Sequence, residues 1–322
     1  MFGIVNSGIM ATWYALLQGA GFLFLSVATA LVTVLLVVFL IRHKKSREDI
    51  VSMMMLPLAV SDLGSGTAVT AACAVFSWIQ PAEIPEPLIV AEGNAFHAFI
   101  ACSVWQLAFM LACKCYVIVR PMTYSQVLTR RFSITAIVGI WSVGWLTQIV
   151  ADLAGVRWVP DLVLHLSIPF GVPAKGRRLR QFETYVLFVA PSITIIVSYT
   201  RIFMAVRRHH VAISNVVSAF VADAGHHHGW TKSIRSAKSL FIICVGYYVT
   251  YLPMLLNNLG FVLPTWYWMT STYLMFSSGI VNSLLYILLY KSTRRDFRQM
   301  FCSKFTSSTV VEVIAVDAVI TP

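Results

Sequence analysis

The sequence predicts an all-α membrane protein, a bundle of seven spanning helices. Three observations carry that reading: an apolar composition, seven long apolar stretches, and a segregation of basic residues between alternate connections. Of the 322 residues, 58% are hydrophobic and 11% charged, and the mean hydropathy is +0.77. A soluble domain of ordinary composition is far less apolar. A spanning helix needs about 20 apolar residues, and stretches of that order run from Tyr14 to Ile41, Ile50 to Ile79, Leu88 to Cys113, Phe132 to Asp152, Phe182 to Val206, Ile234 to Val262 and Trp266 to Tyr290.

The connections give the orientation. Of the 24 Lys and Arg residues, 19 fall in the first, third and fifth connections and the C-terminal segment. The other five, Arg157, Lys175, Arg177, Arg178 and Arg180, lie between the fourth and fifth spans. The positive-inside rule then places the N-terminus outside and the C-terminus inside. Residues 1–13 read as a short extracellular N-terminus and 14–290 as the bundle. Met1 to Trp13 has no basic start and no small-residue cleavage site, so the first span is expected to act as its own insertion signal.

The net charge of +11 is therefore mainly a cytoplasmic feature, suited to anionic membrane lipids at about 1 kcal/mol per residue near the surface or to an acidic protein surface, and does not imply nucleic acid. The six cysteines avoid the segment Leu153–Gln181, and the chain has no Asn-x-Ser/Thr sequon, so neither an extracellular disulfide nor N-glycosylation is expected. No internal repeat suggests a transporter of two inverted halves. No nucleophile and base pair and no phosphate loop suggests an enzyme.

Asp62 lies deep in "MMMLPLAVSDLGSGTAVTAA". A carboxyl group there costs several kcal/mol without a partner or water. It reads either as an ion or proton site or as a group satisfied by neighbouring hydrogen bonds, and Ser103, Ser278 and Asn282 lie in spans that could supply those partners. Pro191 and Pro253 fall inside spans and kink them, as moving parts or as static bends. His209, His210 and the run His226 to His228 read as a solvated loop, and Cys113 and Cys115 lack a second ligand pair for zinc. Trp266, Tyr267 and Trp268 fit an interfacial belt, and Trp141 a packing aromatic.

Taken in order, these stretches resemble the rhodopsin-like family of G-protein-coupled receptors, from about the first span to Phe301. "LAVSD" ending at Asp62 is similar to the second-helix motif. Ser103 and Leu107 precede "CKC" at the family spacing, and Trp141 follows Pro121 likewise. "FVAPSITIIVSYTRIF", with Pro191 and Tyr199, resembles the fifth helix, and "KSLFIICVGYYVTYLP", with Pro253, the sixth. "NSLLY", from Asn282 to Tyr286, resembles NPxxY with Ser283 for proline. "KSTRRDFRQMFC" then reads as an amphipathic cytoplasmic helix on the membrane surface over 291–304, with Cys302 a palmitoylation candidate and 305–322 a cytoplasmic tail.

The resemblance implies a plasma-membrane receptor that couples an extracellular small molecule or peptide to heterotrimeric G proteins. It implies a sodium-responsive site at Asp62, Ser103, Ser278 and Asn282. Tyr199 and Tyr286 would swing inward, and the sixth helix would pivot near Pro253 to open a cleft beside Lys232, Arg235 and Lys238 for a partner's terminal helix. The ligand pocket would be lined by Phe96, His97, Glu183, Met254, Asn258 and Thr272, with His97 and Glu183 placed to pair or never to meet.

The departures from the family pattern are specific. Thr33-Val34 replaces the first-helix Gly-Asn, Ile89 the third-helix cysteine, Tyr247 an aromatic of the sixth helix and Tyr251 its tryptophan. Phe96 stands where amine receptors carry an aspartate, which argues against a monoamine ligand. Phe276 stands at the retinal lysine, which excludes covalent retinal. Cys113-Lys114-Cys115 covers the acid-Arg-aromatic triplet, keeping a cation without the planar fork of arginine. These changes leave a second reading, a non-signalling decoy or homo- or heterodimerisation partner, and a third, an ion or proton transporter using Asp62.

Overall fold

The computed structural model describes residues 2–42, 50–79, 83–161, 166–170, 182, 185–217, 239, 241–254, 256 and 264–289. Of the residues singled out above, Glu183, Asn258, Lys232, Arg235, Lys238 and Cys302 lie outside them. So do His226 to His228, the 291–304 helix and the 305–322 tail.

The first helix runs over Phe2–Arg42, with Trp13–Arg42 apolar enough to cross a membrane. Helical backbone thus continues through the segment read as an extracellular N-terminus. The second helix, Ile50–Leu63 and Thr70–Trp78, contains a π-helical turn at Gly64–Val69. Its glycines let the first two helices approach closely, since a Cβ on Gly66 would lie 2.6 Å from Thr29 Cγ2. Small residues are the usual means of close helix contact where lipid supplies no hydrophobic drive. Ser26 Oγ donates to the Thr67 carbonyl at 3.1 Å, using a backbone acceptor within the wide turn.

The third helix, Glu86–Val119, is the most buried of the first four spanning segments and packs against the second, fourth and fifth helices and both strands of the hairpin that follows the fourth. It continues past Cys113, where the sequence reading ends the apolar span, so the triplet Cys113 to Cys115 lies within regular helix. The fourth helix, Arg130–Leu153, starts at an N-cap in which Thr129 Oγ1 accepts from the Phe132 N–H at 3.2 Å. It meets the bundle along a narrow stripe, with Gly144 against Cys102, and turns Val138, Leu146 and Ile149 outward. The first helix likewise exposes Phe24 and Leu31. Continuous apolar outer faces of this kind match lipid hydrocarbon.

Strands β1 (Arg157–Pro160) and β2 (Ser167–Phe170) then form an antiparallel hairpin, pairing Trp158 with Pro169 and Pro160 with Ser167. The fifth helix, Ala190–Val217, is entered through a π-helical turn at Tyr185–Val189. That turn lies next to Pro191, whose missing N–H and ring bulk disfavour a regular ladder over the preceding turn. The sixth helix is described over Phe241–Met254. The seventh consists of Thr265–Phe276 and Ser278–Leu289, bent by 43°. No proline sits at the bend. Ser277 Oγ donates to the Leu274 carbonyl at 2.6 Å, the back-bond that bends helices, while its N–H still reaches Tyr273 O and its carbonyl still accepts from Val281 N, each at 3.0 Å.

Candidate functional site

Four helices meet around Asp62, which is 1% exposed. Its Oδ1 accepts from Ser103 Oγ at 2.6 Å and its Oδ2 from Asn282 Nδ2 at 3.1 Å, so one carboxyl group ties the second helix to the third and seventh. Ser61 Oγ lies 2.9 Å from Ser103 Oγ and donates to the Leu58 carbonyl, extending the network by a residue that the sequence reading overlooked. Ser278 does not close on Asp62. Its hydroxyl donates to Tyr251 OH at 3.2 Å, which brings in the sixth helix. Tyr251 in turn stacks on Tyr247, with ring centroids 4.1 Å apart.

The cluster meets the chemical demands of a hard monovalent cation in one respect that the geometry supplies directly. Asn282 Oδ1 is buried without a hydrogen-bond partner while its amide nitrogen engages Asp62. Carboxyl, hydroxyl and amide oxygens are the donors such an ion prefers. Among the described residues, no three His, Cys, Asp or Glu side chains converge as a transition-metal site would need.

Two departures from the family pattern meet each other. Thr33 Oγ1 and Ser283 Oγ, both buried, lie 3.4 Å apart and link the first and seventh helices. Thr33→Val is expected to cost about 1 kcal/mol by leaving Ser283 with one fewer partner. Thermal unfolding of the detergent-solubilised chain checks this: Thr33→Val/Ser283→Ala should recover most of the loss, and strictly additive losses would show no coupling.

Towards the hairpin end of the bundle the expected pocket is aromatic. Phe96 is buried, meets His97 edge-on at 5.0 Å and lies 5.8 Å from Phe276. His97 lies 5.0 Å from the Trp158 ring, and its Nδ1 is 3.0 Å from the Gly93 carbonyl. Met254 and Thr272 are buried, and Thr272 Oγ1 donates to its own helix at Trp268 O. The structure therefore groups Phe96 and His97 with Phe276 and Trp158, two rings outside the expected lining.

Two acidic groups near this end went unread in the sequence. Glu92, 4% exposed, sits inside the third apolar span, and Asp152 ends the fourth. An ionisable residue in a spanning stretch is itself the signal that could have found Glu92.

At the opposite end, Cys113 and Cys115 are buried and Lys114 half-buried. Tyr286 is buried, whereas Tyr199 stacks on Phe241 with centroids 3.8 Å apart, in an apolar crevice between the fifth and sixth helices. Tyr248 OH donates to Ser192 Oγ at 2.8 Å across the same pair of helices. Tyr199 thus belongs to the fifth and sixth helices in this arrangement. Pro253 presents its carbonyl to Tyr267 OH at 3.4 Å.

The profile of the 7 transmembrane receptor (rhodopsin family) matches residues 33–286. Trace amine-associated receptor 7b of Mus musculus is 21% identical over 216 residues, 64% of this chain, which spans 60% of that relative's length. Trace amine-associated receptor 8b of Rattus norvegicus is 21% identical over 289 residues, covering 84% of this chain and 82% of the relative. The crystal structure of squid rhodopsin matches with a TM-score of 0.78 at 17% identity, over 92% of this chain and 87% of that one. The last likeness carries the seven-helix fold.

Proposed function

Because the chain belongs to the rhodopsin family of seven-transmembrane receptors, we propose that it transduces an extracellular small-molecule or peptide signal to heterotrimeric G proteins by outward movement of the sixth helix. The observation that carries this reading is the polar core at Asp62. Hydrogen bonds from that carboxyl group reach the third and seventh helices, and Ser278 continues the seventh helix to Tyr251 on the sixth. A buried network that joins the sixth helix to the second, third and seventh couples their positions, so that moving one disturbs hydrogen bonds on the others. The charge distribution supports an orientation with the hairpin end outside, and membership of the receptor family supports the plasma membrane.

A ligand-independent recruitment assay of G-protein families tests the proposal before any ligand is known. Recruitment of at least one family is expected in cells expressing the chain, with Tyr199→Phe and Lys114→Ala altering it at equal surface level. Absence of recruitment in every arm overturns coupling and favours a decoy.

The two relatives are named for trace amines. We do not extend an ammonium ligand to this chain. Phe96 supplies no charge, and the two acids described near it are already engaged: Glu92 by Ser167 N–H and Cys73 Sγ–H, Asp152 by Asn94 and Trp158. Withdrawing a buried carboxyl group from such partners leaves them unsatisfied at about 1–3 kcal/mol each. The aromatic lining suits an apolar or aromatic ligand instead. A panel of monoamines should give no saturable response, and a response abolished by Phe96→Ala would reverse this assignment. Phe276 has no amine to form a Schiff base, so retinal, if bound, is held without a covalent bond. Sodium at Asp62, Ser103 and Asn282 is proposed as the resting-state ion.

A further inference from the structure

A two-stranded hairpin is marginal by itself in water, and this one spans the mouth of the bundle with no cysteine in it. Each strand is nevertheless held by its own carboxyl group. On β1, the Trp158 indole N–H donates to Asp152 Oδ1 at 3.1 Å, while Asp152 Oδ2 accepts from Asn94 Nδ2 of the third helix at 2.5 Å. On β2, the Ser167 backbone N–H donates to Glu92 Oε2 at 2.9 Å, while Glu92 Oε1 accepts from Cys73 Sγ–H of the second helix at 3.8 Å. The surfaces are fitted to match. Trp158 packs with Phe76, Ile84 and Ile89, and a Cβ on Gly93 would lie 2.4 Å from its ring.

We propose that Glu92 and Asp152 are positioning residues that anchor the two strands over the third helix, fixing the mouth of the ligand pocket without any cross-link. Ile89, at the place where the family pattern has a cysteine, contributes to the apolar seat of Trp158 and not to a covalent bond. The tie uses four oxygens, each with a donor on a different element or strand, so it is satisfied only when hairpin and helices are in register. Trp158 is thereby held against His97. The proposal rests on the receptor reading only in taking the hairpin end as the ligand's side.

Amide hydrogen exchange of the solubilised full chain, with and without dithiothreitol, tests the anchor without ligand or G protein, so failed signalling and a failed anchor are separately visible. The hairpin amides of the natural chain should be protected equally in both conditions. Glu92→Ala should raise exchange across β2 by at least about tenfold while the third helix stays protected, and Glu92→Gln, which keeps an acceptor, should restore most of it. Ser167→Pro removes the same bond from the other partner and leaves the span untouched, which keeps the test decisive if Glu92→Ala does not fold. Unchanged hairpin exchange in Ser167→Pro overturns the proposal, as does loss of protection on adding the reductant to the natural chain.

Discussion

Replacing Asp62 with leucine is expected to lower the thermal unfolding midpoint of the chain by several degrees. The substitution leaves the Ser103 hydroxyl and the Asn282 amide, both buried, without their acceptor. Each such loss costs about 1–3 kcal/mol, and apolar packing recovers little because the donors remain. Asp62→Asn separates the structural from the ionic contribution. It keeps one acceptor oxygen, so its midpoint should fall less. If sodium occupies the site, exchanging sodium for choline should lower the midpoint of the natural chain by a few degrees, as ligand linkage requires, and leave that of Asp62→Asn unmoved. Equal salt responses in the two chains would remove sodium from the account and leave Asp62 as a purely structural tie.

Converting Cys113 to aspartate together with Lys114 to arginine should reduce basal G-protein recruitment by at least about fivefold, the lower end of the 1–3 kcal/mol range of coupling free energies. A cysteine beside Lys114 offers no carboxylate for an ion pair, and a lysine lacks the planar fork that holds one in two places. The expectation is that this pair holds the resting state less firmly than an acid and an arginine would. The double variant supplies both halves of the latch, the acid at buried position 113, where an unpaired charge is costly, and the cation at half-buried position 114. Cys113→Asp alone should produce a smaller drop. Equal basal recruitment at matched surface density would show that the triplet is not the switch, and an increase would show that the natural cleft is inert.

The spans were legible because membrane burial writes itself as long apolar runs, and Asp62, Ser103 and Asn282 because polar groups within such runs must find one another. Their meeting could be named in advance. Ser278 was placed in the same cluster, yet one hydroxyl serves few partners and it turns to Tyr251. The third helix outlasts the predicted run by more than a turn because the charge at Lys114 interrupts the apolar pattern, not the helix, which continues through Cys115 to Val119. The hairpin was not read at all. Arg157–Pro160 and Ser167–Phe170 are too short for alternation to register, and their side-chain ties run to Glu92, far away in sequence, and to Asp152 at the end of the preceding helix. Thr33 and Ser283 each read as a loss when taken singly, and only their contact shows the exchange.

The bend at Ser277 has a mechanical consequence. A proline makes a kink permanent by deleting a donor, whereas here Ser277 keeps both its backbone hydrogen bonds, to Tyr273 O and from Val281 N, and adds a side-chain back-bond to Leu274. The bend is therefore open to a softer deflection than a proline kink allows, and the Ser277 hydroxyl that braces it is adjacent to the residue that grips Tyr251.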